Sequence, residues 1–220
     1  MALVMFDLDG TLLDTAGEIA DATNRTLVDF GHPAVSQDQV RDWIGHGTGW
    51  LMRQAWTHVA GAPTESDWPG VMKRFIEHYY DCAGTNSRPY PMVAETLEQL
   101  KKMDVLLAVV TNKETRFTDR ILERHGLTQQ LNMVISGDTL PVKKPNPAVI
   151  HHCLEQLSQT VGESLFIGDS SIDIATAKAA GVVCWAVPYG YNMGEPIEAS
   201  QPDAIVPNIH SAIQFFRGFA

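Results

Sequence analysis

Two aspartates, Asp7 and Asp9, stand one residue apart directly behind the apolar run Leu3-Val4-Met5-Phe6, and Gly10 follows them. A short unbroken apolar run reads as a strand buried on both faces. That puts the carboxylates at its C-terminal end, where open parallel sheets bind ligands. Side chains at i and i+2 of a strand share one side, so extended geometry carried through Asp9 would aim both carboxylates at one point. Two like charges that close repel unless a cation or a shared proton relieves them. Hard carboxylate oxygens suit Mg²⁺, which keeps several waters and accepts a phosphate oxygen. Taken alone, Asp-x-Asp-Gly equally fits a solvated loop at a strand end.

Further along, Thr111 and Asn112 follow the run Val105–Val110, and Gly168-Asp169 follows Leu165-Phe166-Ile167. Right-handed parallel connections bring such strand ends to one edge of a sheet. Carboxylates, a hydroxyl and an amide would therefore meet in one crevice, the pattern of an active site. Asp173 lies four residues beyond Asp169, in a first helical turn where an acid also favours the helix dipole. Lys143-Lys144-Pro145-Asn146-Pro147 sits between the run Met133–Ser136 and the next helix. A loop lysine is ordinarily solvated, which is the reading for Lys143. Lys144, fixed by Pro145, is a candidate to set an ammonium against a phosphoryl group opposite Mg²⁺.

These residues need a scaffold. Apolar runs at Leu3, Val105, Met133, Leu165 and Val182, with a short edge strand at Ala204-Ile205-Val206, alternate with helical patterns from Val93 onward. That alternation predicts parallel βαβ units and an α/β fold with a doubly wound, Rossmann-like parallel sheet. Between Ala16 and about Cys82 only helical periodicity appears, in four or so segments. Capping boxes are expected at Thr15-Ala16-Gly17-Glu18 and Ser36-Gln37-Asp38-Gln39. Gly84 to Pro91 has the composition of a linker. The predicted organisation is therefore an α/β core of residues 1–15 and 85–220, and a helical unit of residues 16–84 inserted after the first strand.

The chain has 220 residues, of which 45% are hydrophobic, enough for a sizeable core. Its net charge of −10 argues against a general nucleic-acid binder, which needs a basic face. A local cation still allows an anionic substrate. Cys82, Cys153 and Cys184 show no CxxC spacing and read as small buried residues in a reducing compartment. No signal-peptide pattern and no membrane-length apolar run is seen. The expectation is a soluble cytoplasmic protein without nucleic-acid or membrane partners, a monomer or homodimer.

Asp7-x-Asp9-Gly10-Thr11, Thr111 after a strand, Lys144-Pro145 and Gly168-Asp169-x-x-x-Asp173 together resemble, in order, the four motifs of the haloacid dehalogenase-like phosphohydrolases. The helical insert resembles their small all-helical cap domain. Val109-Val110-Thr111-Asn112-Lys113, Gly137-Asp138-Thr139-Leu140-Pro141 and Tyr189-Gly190-Tyr191-Asn192-x-Gly194-Glu195-Pro196 are similar to bacterial phosphoglycolate phosphatases. Gly45-His46-Gly47 replaces a more usual Gly-Asn-Gly, and Asn146 a more usual His.

The resemblance implies that Asp7 attacks phosphorus and that Asp9 protonates the leaving alcohol and then activates water. It implies Mg²⁺ held by Asp7, the Asp9 backbone carbonyl and Asp169. Thr111, the Asn112 amide and Lys144 would hold the phosphoryl group, with Asp173 and Thr11 in support. Gly45, His46 and Gly47 are the candidates for substrate selection, with Arg41 or Arg53 as alternatives to a solvated helix face. The substrate class is a small phosphorylated metabolite, first 2-phosphoglycolate. An amino-sugar phosphate, a sugar phosphate, a nucleotide, or a sugar phosphomutase reaction are the alternatives.

Overall fold

The computed structural model describes residues 2–218. In chain order, β1 (Leu3–Phe6) and β2 (Leu13–Asp14) precede four helices, α1 (Ala16–Asp29), α2 (Gln37–Asp42), α3 (Thr48–Ala60) and α4 (Trp68–Cys82). After β3 (Arg88–Pro89) come α5 (Val93–Lys102), β4 (Leu106–Val110), α6 (Thr115–Arg124), β5 (Met133–Ile135) and α7 (Ala148–Gln156). The chain closes with β6 (Ser164–Gly168), α8 (Ser171–Ala180), β7 (Val183–Ala186), β8 (Ala204–Ile205) and α9 (Ala212–Arg217).

Six strands form a wholly parallel sheet in the order β5-β4-β1-β6-β7-β8. From β1 the chain winds outward through β4 and β5, then returns to β1's other side for β6, β7 and β8. β1 is thus the point where the winding reverses, and the ends of β1, β4 and β6 flank the crevice that such a switch creates. The continuous apolar sequence of β1 follows from burial on both faces. Leu3 and Met5 join Val110, Ile150, Phe166 and Ile174 on one side of the sheet. Val4 and Phe6 join Leu97, Val109, Ile121 and Ile167 on the other, in a core that runs on into the insert through Leu27, Leu51 and Phe75.

Helical spacing in the insert translates into packing. Val71, Phe75, Tyr79 and Cys82 form the buried stripe of α4, and α1 packs along it through Ile19, Thr23 and Leu27. The Ser36 capping box forms: the Ser36 hydroxyl accepts from the Gln39 amide, and Gln39 Oε1 accepts from the Ser36 amide. The expected box at Thr15 does not form, because tertiary partners claim both side chains. The Thr15 hydroxyl donates to Asp9 at 2.5 Å. Buried Glu18 accepts from the amides of Gly84, at 2.8 Å, and Ser87, at 3.1 Å. The Tyr191 hydroxyl accepts from the amides of Thr15 and Ala16 and so caps α1 from a distant loop. The stretch read as a linker also carries β3, which pairs antiparallel with β2 where the chain enters and leaves the insert.

Candidate active site

Hydrogen bonding of the sheet continues one residue beyond β1 and β4. The Asp7 amide donates to the Ile167 carbonyl and the Thr111 amide to the Ile135 carbonyl, each at 2.9 Å. Both residues are thereby fixed at the mouth of the crevice. Lys144 reaches in from the β5–α7 loop, with Nζ 2.7 Å from Asp7 Oδ1 and 2.7 Å from Asp173 Oδ1. The other Asp173 oxygen accepts from the Ser170 hydroxyl at 2.7 Å and from the amides of Ser170 and Asp169. Asp169 accepts from the Thr11 hydroxyl at 2.7 Å and the Tyr191 amide at 2.6 Å. Gly10 and Gly190 crowd it so closely that a Cβ on either would lie 2.2 Å from Asp169 Oδ2. Gly10 also has a φ of +84°, which favours glycine.

Asp7, Asp169 and Asp173 each bring an oxygen within 4.8 Å of the others, and all three are buried. The third carboxylate of this group is Asp173, and Asp9, which lines the same crevice as Asp7, is not among the three. β1 ends at Phe6, and the chain turns back at Asp9-Gly10 to bridge Leu13. The Asp9 carboxylate lies instead 2.9 Å from Lys113 Nζ and accepts from Thr15.

Lys144 pairs with two of these three buried carboxylates, Asp7 and Asp173. Burial, reinforced by the charges of Asp173 and Asp9, pushes the Asp7 carboxyl up to about 7 against the pull of Lys144. Burial, Asp173 and Asp7 drive Asp169 well above the carboxylate range. Burial alone would lower Lys144, but Asp173 and Asp7 more than offset it, and the ammonium stays charged. With all three carboxylates ionised, the cluster would carry more negative charge than Lys144 balances, and that repulsion is part of what raises Asp7 and Asp169. An all-oxygen donor set of this kind fits a hard divalent cation, which would supply the missing charge.

The second tip joins core and insert. Asn112 donates from its side-chain amide to the carbonyls of Gly45, at 2.9 Å, and Lys144, at 3.0 Å, and accepts from the Lys144 amide at 2.9 Å. One side chain thus fixes the backbone of both the candidate specificity loop and the candidate phosphate-binding lysine. Gly137 packs on the Asn112 backbone, where a Cβ would come to 2.2 Å from the carbonyl oxygen. Gly45 and Gly47, both with positive φ, line the crevice together with Thr48 and Leu51. His46 does not line it: its ring packs 4.7 Å from Trp50, and its carbonyl accepts from Lys143 at 2.6 Å. Lys143, read as solvated, is exposed but engaged on that loop.

Neither arginine considered for substrate recognition lines the crevice. Arg41 pairs with Asp14 at 3.3 Å and lies over the Tyr191 ring. Arg53 lies over Trp68 and near Glu65. Among the lining residues not assigned to the site from sequence are Lys113, Tyr79 and Tyr191. Lys113 follows Thr111-Asn112 on the same tip, so its position was a usable signal. Tyr79 reads as one more apolar residue of a helical stripe, and nothing local marks it. Lys113 donates to the Tyr79 hydroxyl, and burial drives that phenol's pKa well up.

Comparison with known proteins agrees with this geometry. A family model described as haloacid dehalogenase-like hydrolase matches residues 4–187. The phosphoglycolate phosphatase of Vibrio parahaemolyticus is 38% identical over 96% of this chain and 94% of its own length. That of Aliivibrio fischeri is 40% identical over 92% of this chain and 91% of its own. A crystal structure described as a predicted phosphoglycolate phosphatase from Haemophilus somnus superposes with a TM-score of 0.94 at 34% identity, covering 98% of this chain and 97% of that one. Agreement along nearly the whole chain, together with an acid-and-lysine crevice at the sheet's switch point, makes this protein a member of the haloacid dehalogenase-like hydrolases and a phosphomonoester hydrolase.

Proposed function

We propose that the protein is a Mg²⁺-dependent phosphatase that hydrolyses 2-phosphoglycolate through a phosphoaspartate at Asp7. The observation that carries this reading is the division of labour between two aspartates of one crevice. Asp7 sits in the buried carboxylate cluster beside Lys144, and Asp9 stands apart from it with Lys113 and Thr15. Asp7, the Asp9 backbone carbonyl and Asp169 would hold Mg²⁺, with Thr11 fixing Asp169. Bound there, the cation would neutralise charge on the phosphoryl oxygens.

Asp7 then attacks phosphorus through a carboxylate oxygen, and the bond from phosphorus to the ester oxygen breaks. Asp9 gives its proton to that departing oxygen. In the second half Asp9 takes a proton from water, whose oxygen attacks phosphorus and returns Asp7 as a carboxylate. Thr111, the Asn112 backbone amide and Lys144 hold the phosphoryl oxygens throughout. Asp173 holds the Lys144 ammonium in place. Residues 16–84 act as a cap whose Gly45–Gly47 backbone closes the far side of the site and excludes water.

The substrate assignment draws on the names of the relatives. The test is a panel of phosphomonoesters assayed with Mg²⁺ for release of free phosphate. The expected result is highest kcat/KM for 2-phosphoglycolate. Negligible turnover of it beside strong turnover of a sugar phosphate or nucleotide would overturn the assignment.

A further inference from the structure

A substrate carrying a carboxylate two atoms beyond its ester oxygen presents a second anion, and the crevice must meet it with a cation or with donors. Among the described residues that line the crevice, Lys144 and Lys113 are the cations. Lys144 lies between Asp7 and Asp173 at 2.7 Å from each and belongs to the phosphoryl end. Arg41 and Arg53 pair elsewhere, and Lys143 is exposed, does not line the crevice and donates to the His46 carbonyl.

Lys113 is only 5% exposed, and the ammonium has three donors. Two of them engage Asp9, at 2.9 Å, and the Tyr79 hydroxyl. Among the described residues no third acceptor is hydrogen-bonded to this ammonium, and Lys113 lines the crevice. Ile19, Ile44, Leu51 and Ile172 form apolar walls around this space. Such walls strengthen a charge pair relative to water. The first turn of α3, at Gly47-Thr48, opens on the same side and adds the positive end of a helix of 13 residues. The negative groups around Lys113 are Asp9, which it pairs; Glu18, whose Oε2 accepts from the Gly84 and Ser87 amides while its buried Oε1 has no hydrogen-bond partner; and the adjacent Glu114, whose Oε1 accepts from the Thr48 hydroxyl.

We propose that Lys113 is the specificity-determining cation of this enzyme, bridging Asp9 and the carboxylate of the substrate. This rests on the reading of the substrate as a carboxylate-bearing phosphomonoester. It assigns recognition to a residue of the sheet-edge tip, next to the phosphate-binding Thr111 and Asn112, where the insert contributes apolar walls, Tyr79 and loop amides. A phosphomonoester of equal length without the carboxylate would leave the third Lys113 donor without a partner, and the enzyme should discriminate against it.

The test compares 2-phosphoglycolate with 2-hydroxyethyl phosphate, which keeps the length and replaces the carboxylate by a hydroxyl. Lys113→Met disturbs Asp9 as well, so both rates should fall. The expected result is an additional loss of at least about 30-fold in kcat/KM for phosphoglycolate, the scale of truncating one partner of a buried charge pair. Lys113→Arg should restore much of the preference. Binding supplies a readout free of turnover: with Mg²⁺ present, calorimetry compares 3-phosphonopropionate with propylphosphonate. The wild type should favour the carboxylate compound, and Lys113→Met should bind the two alike. Lys113→Gln replaces Lys113→Met if the latter does not fold. A wild type without carboxylate preference would overturn the substrate reading itself. A preference that survives in the Lys113 variants would overturn only the role of Lys113.

Discussion

The sheet-edge tips and the helical insert face each other across one crevice but hold their residues by different means. At the tips, the functional side chains are buried, extend the strand ladder and sit in cradles lined by glycine. Asp169 has Thr11, the Tyr191 amide, Gly10 and Gly190 around it. The insert presents mainly backbone and apolar side chains. Its Gly45–Gly47 loop is positioned by side chains of the core, Asn112 and Lys143. The difference assigns the chemistry, which needs groups fixed to fractions of an ångström, to the rigid sheet. We propose that closure and fit fall to the insert, which shares a continuous apolar core with one face of the sheet and is joined also through β2, β3 and hydrogen bonds.

The sharpest way to break this contrast is to strike the tips. Asp7→Asn should lower kcat by about 10⁴-fold or more, as loss of a nucleophile does, while the melting temperature stays near that of the wild type. Retention of a tenth of the activity would end the covalent mechanism. Asp9→Asn should cost about 10²–10⁴-fold, the range for a general acid–base group. In single turnovers its phosphorylation step should survive better with an aryl phosphate, whose leaving group needs no proton, than with an alkyl phosphate. Equal loss for both would remove Asp9 from the acid role.

Cation binding probes the same cluster through stability. Mg²⁺ at about 100 times its dissociation constant should stabilise the fold by about 2.7 kcal/mol, a rise of roughly 5–10 °C in a chain of this size. Asp169→Asn should abolish that rise; an undiminished rise would place the cation elsewhere.

On the insert side effects should be smaller. Lys143→Ala removes one exposed contact to the His46 carbonyl and should raise KM for phosphoglycolate by about 2–5-fold, the scale of an exposed charged contact, with kcat little changed. A fall in kcat matching Asp9→Asn would mean that the loop is part of the chemistry. Glu18 tests the attachment of the insert. Burial raises its carboxyl above the ordinary value of 4.5, with Lys113 opposing and Asp9 adding. The folded state therefore holds this proton longer than the unfolded chain, and stability is lost as pH rises above that value. Glu18→Gln should gain stability relative to the wild type along that rise, read as the difference between their melting temperatures at each pH. A constant difference would show that Glu18 acts only as a hydrogen-bond acceptor.

Much of the core was legible because its signals are local. The apolar runs of β1, β4 and β6, the polar residues closing each run, and the alternation with helices suffice to place Asp7, Thr111 and Asp169 along one edge. The helical stripes of the insert were equally legible, since burial of one helix face imposes its own period. The Thr15 capping box was misread because a local motif competes with tertiary partners, and Asp9, Gly84 and Ser87 took both of its side chains. Lys143 is exposed, as the sequence suggests, but its contact to the His46 carbonyl was not legible, since that group lies far away in sequence.

By itself the sequence determined the sheet, the order of its strands' polar tips, the helical character of the insert and the phosphohydrolase chemistry those tips resemble. Strand burial and helix amphipathicity are written within a few residues of each position. Tertiary structure alone decided how the carboxylates divide. The turn at Asp9-Gly10 sends Asp9 to Lys113 and Thr15, while α8 brings Asp173 to Asp7 and Lys144. It also decided that Asn112 ties the insert loop to the Lys144 backbone and that Tyr191 caps α1. Most of those outcomes depend on which side chains meet across about 30 residues of chain or more, and no local period encodes such a meeting.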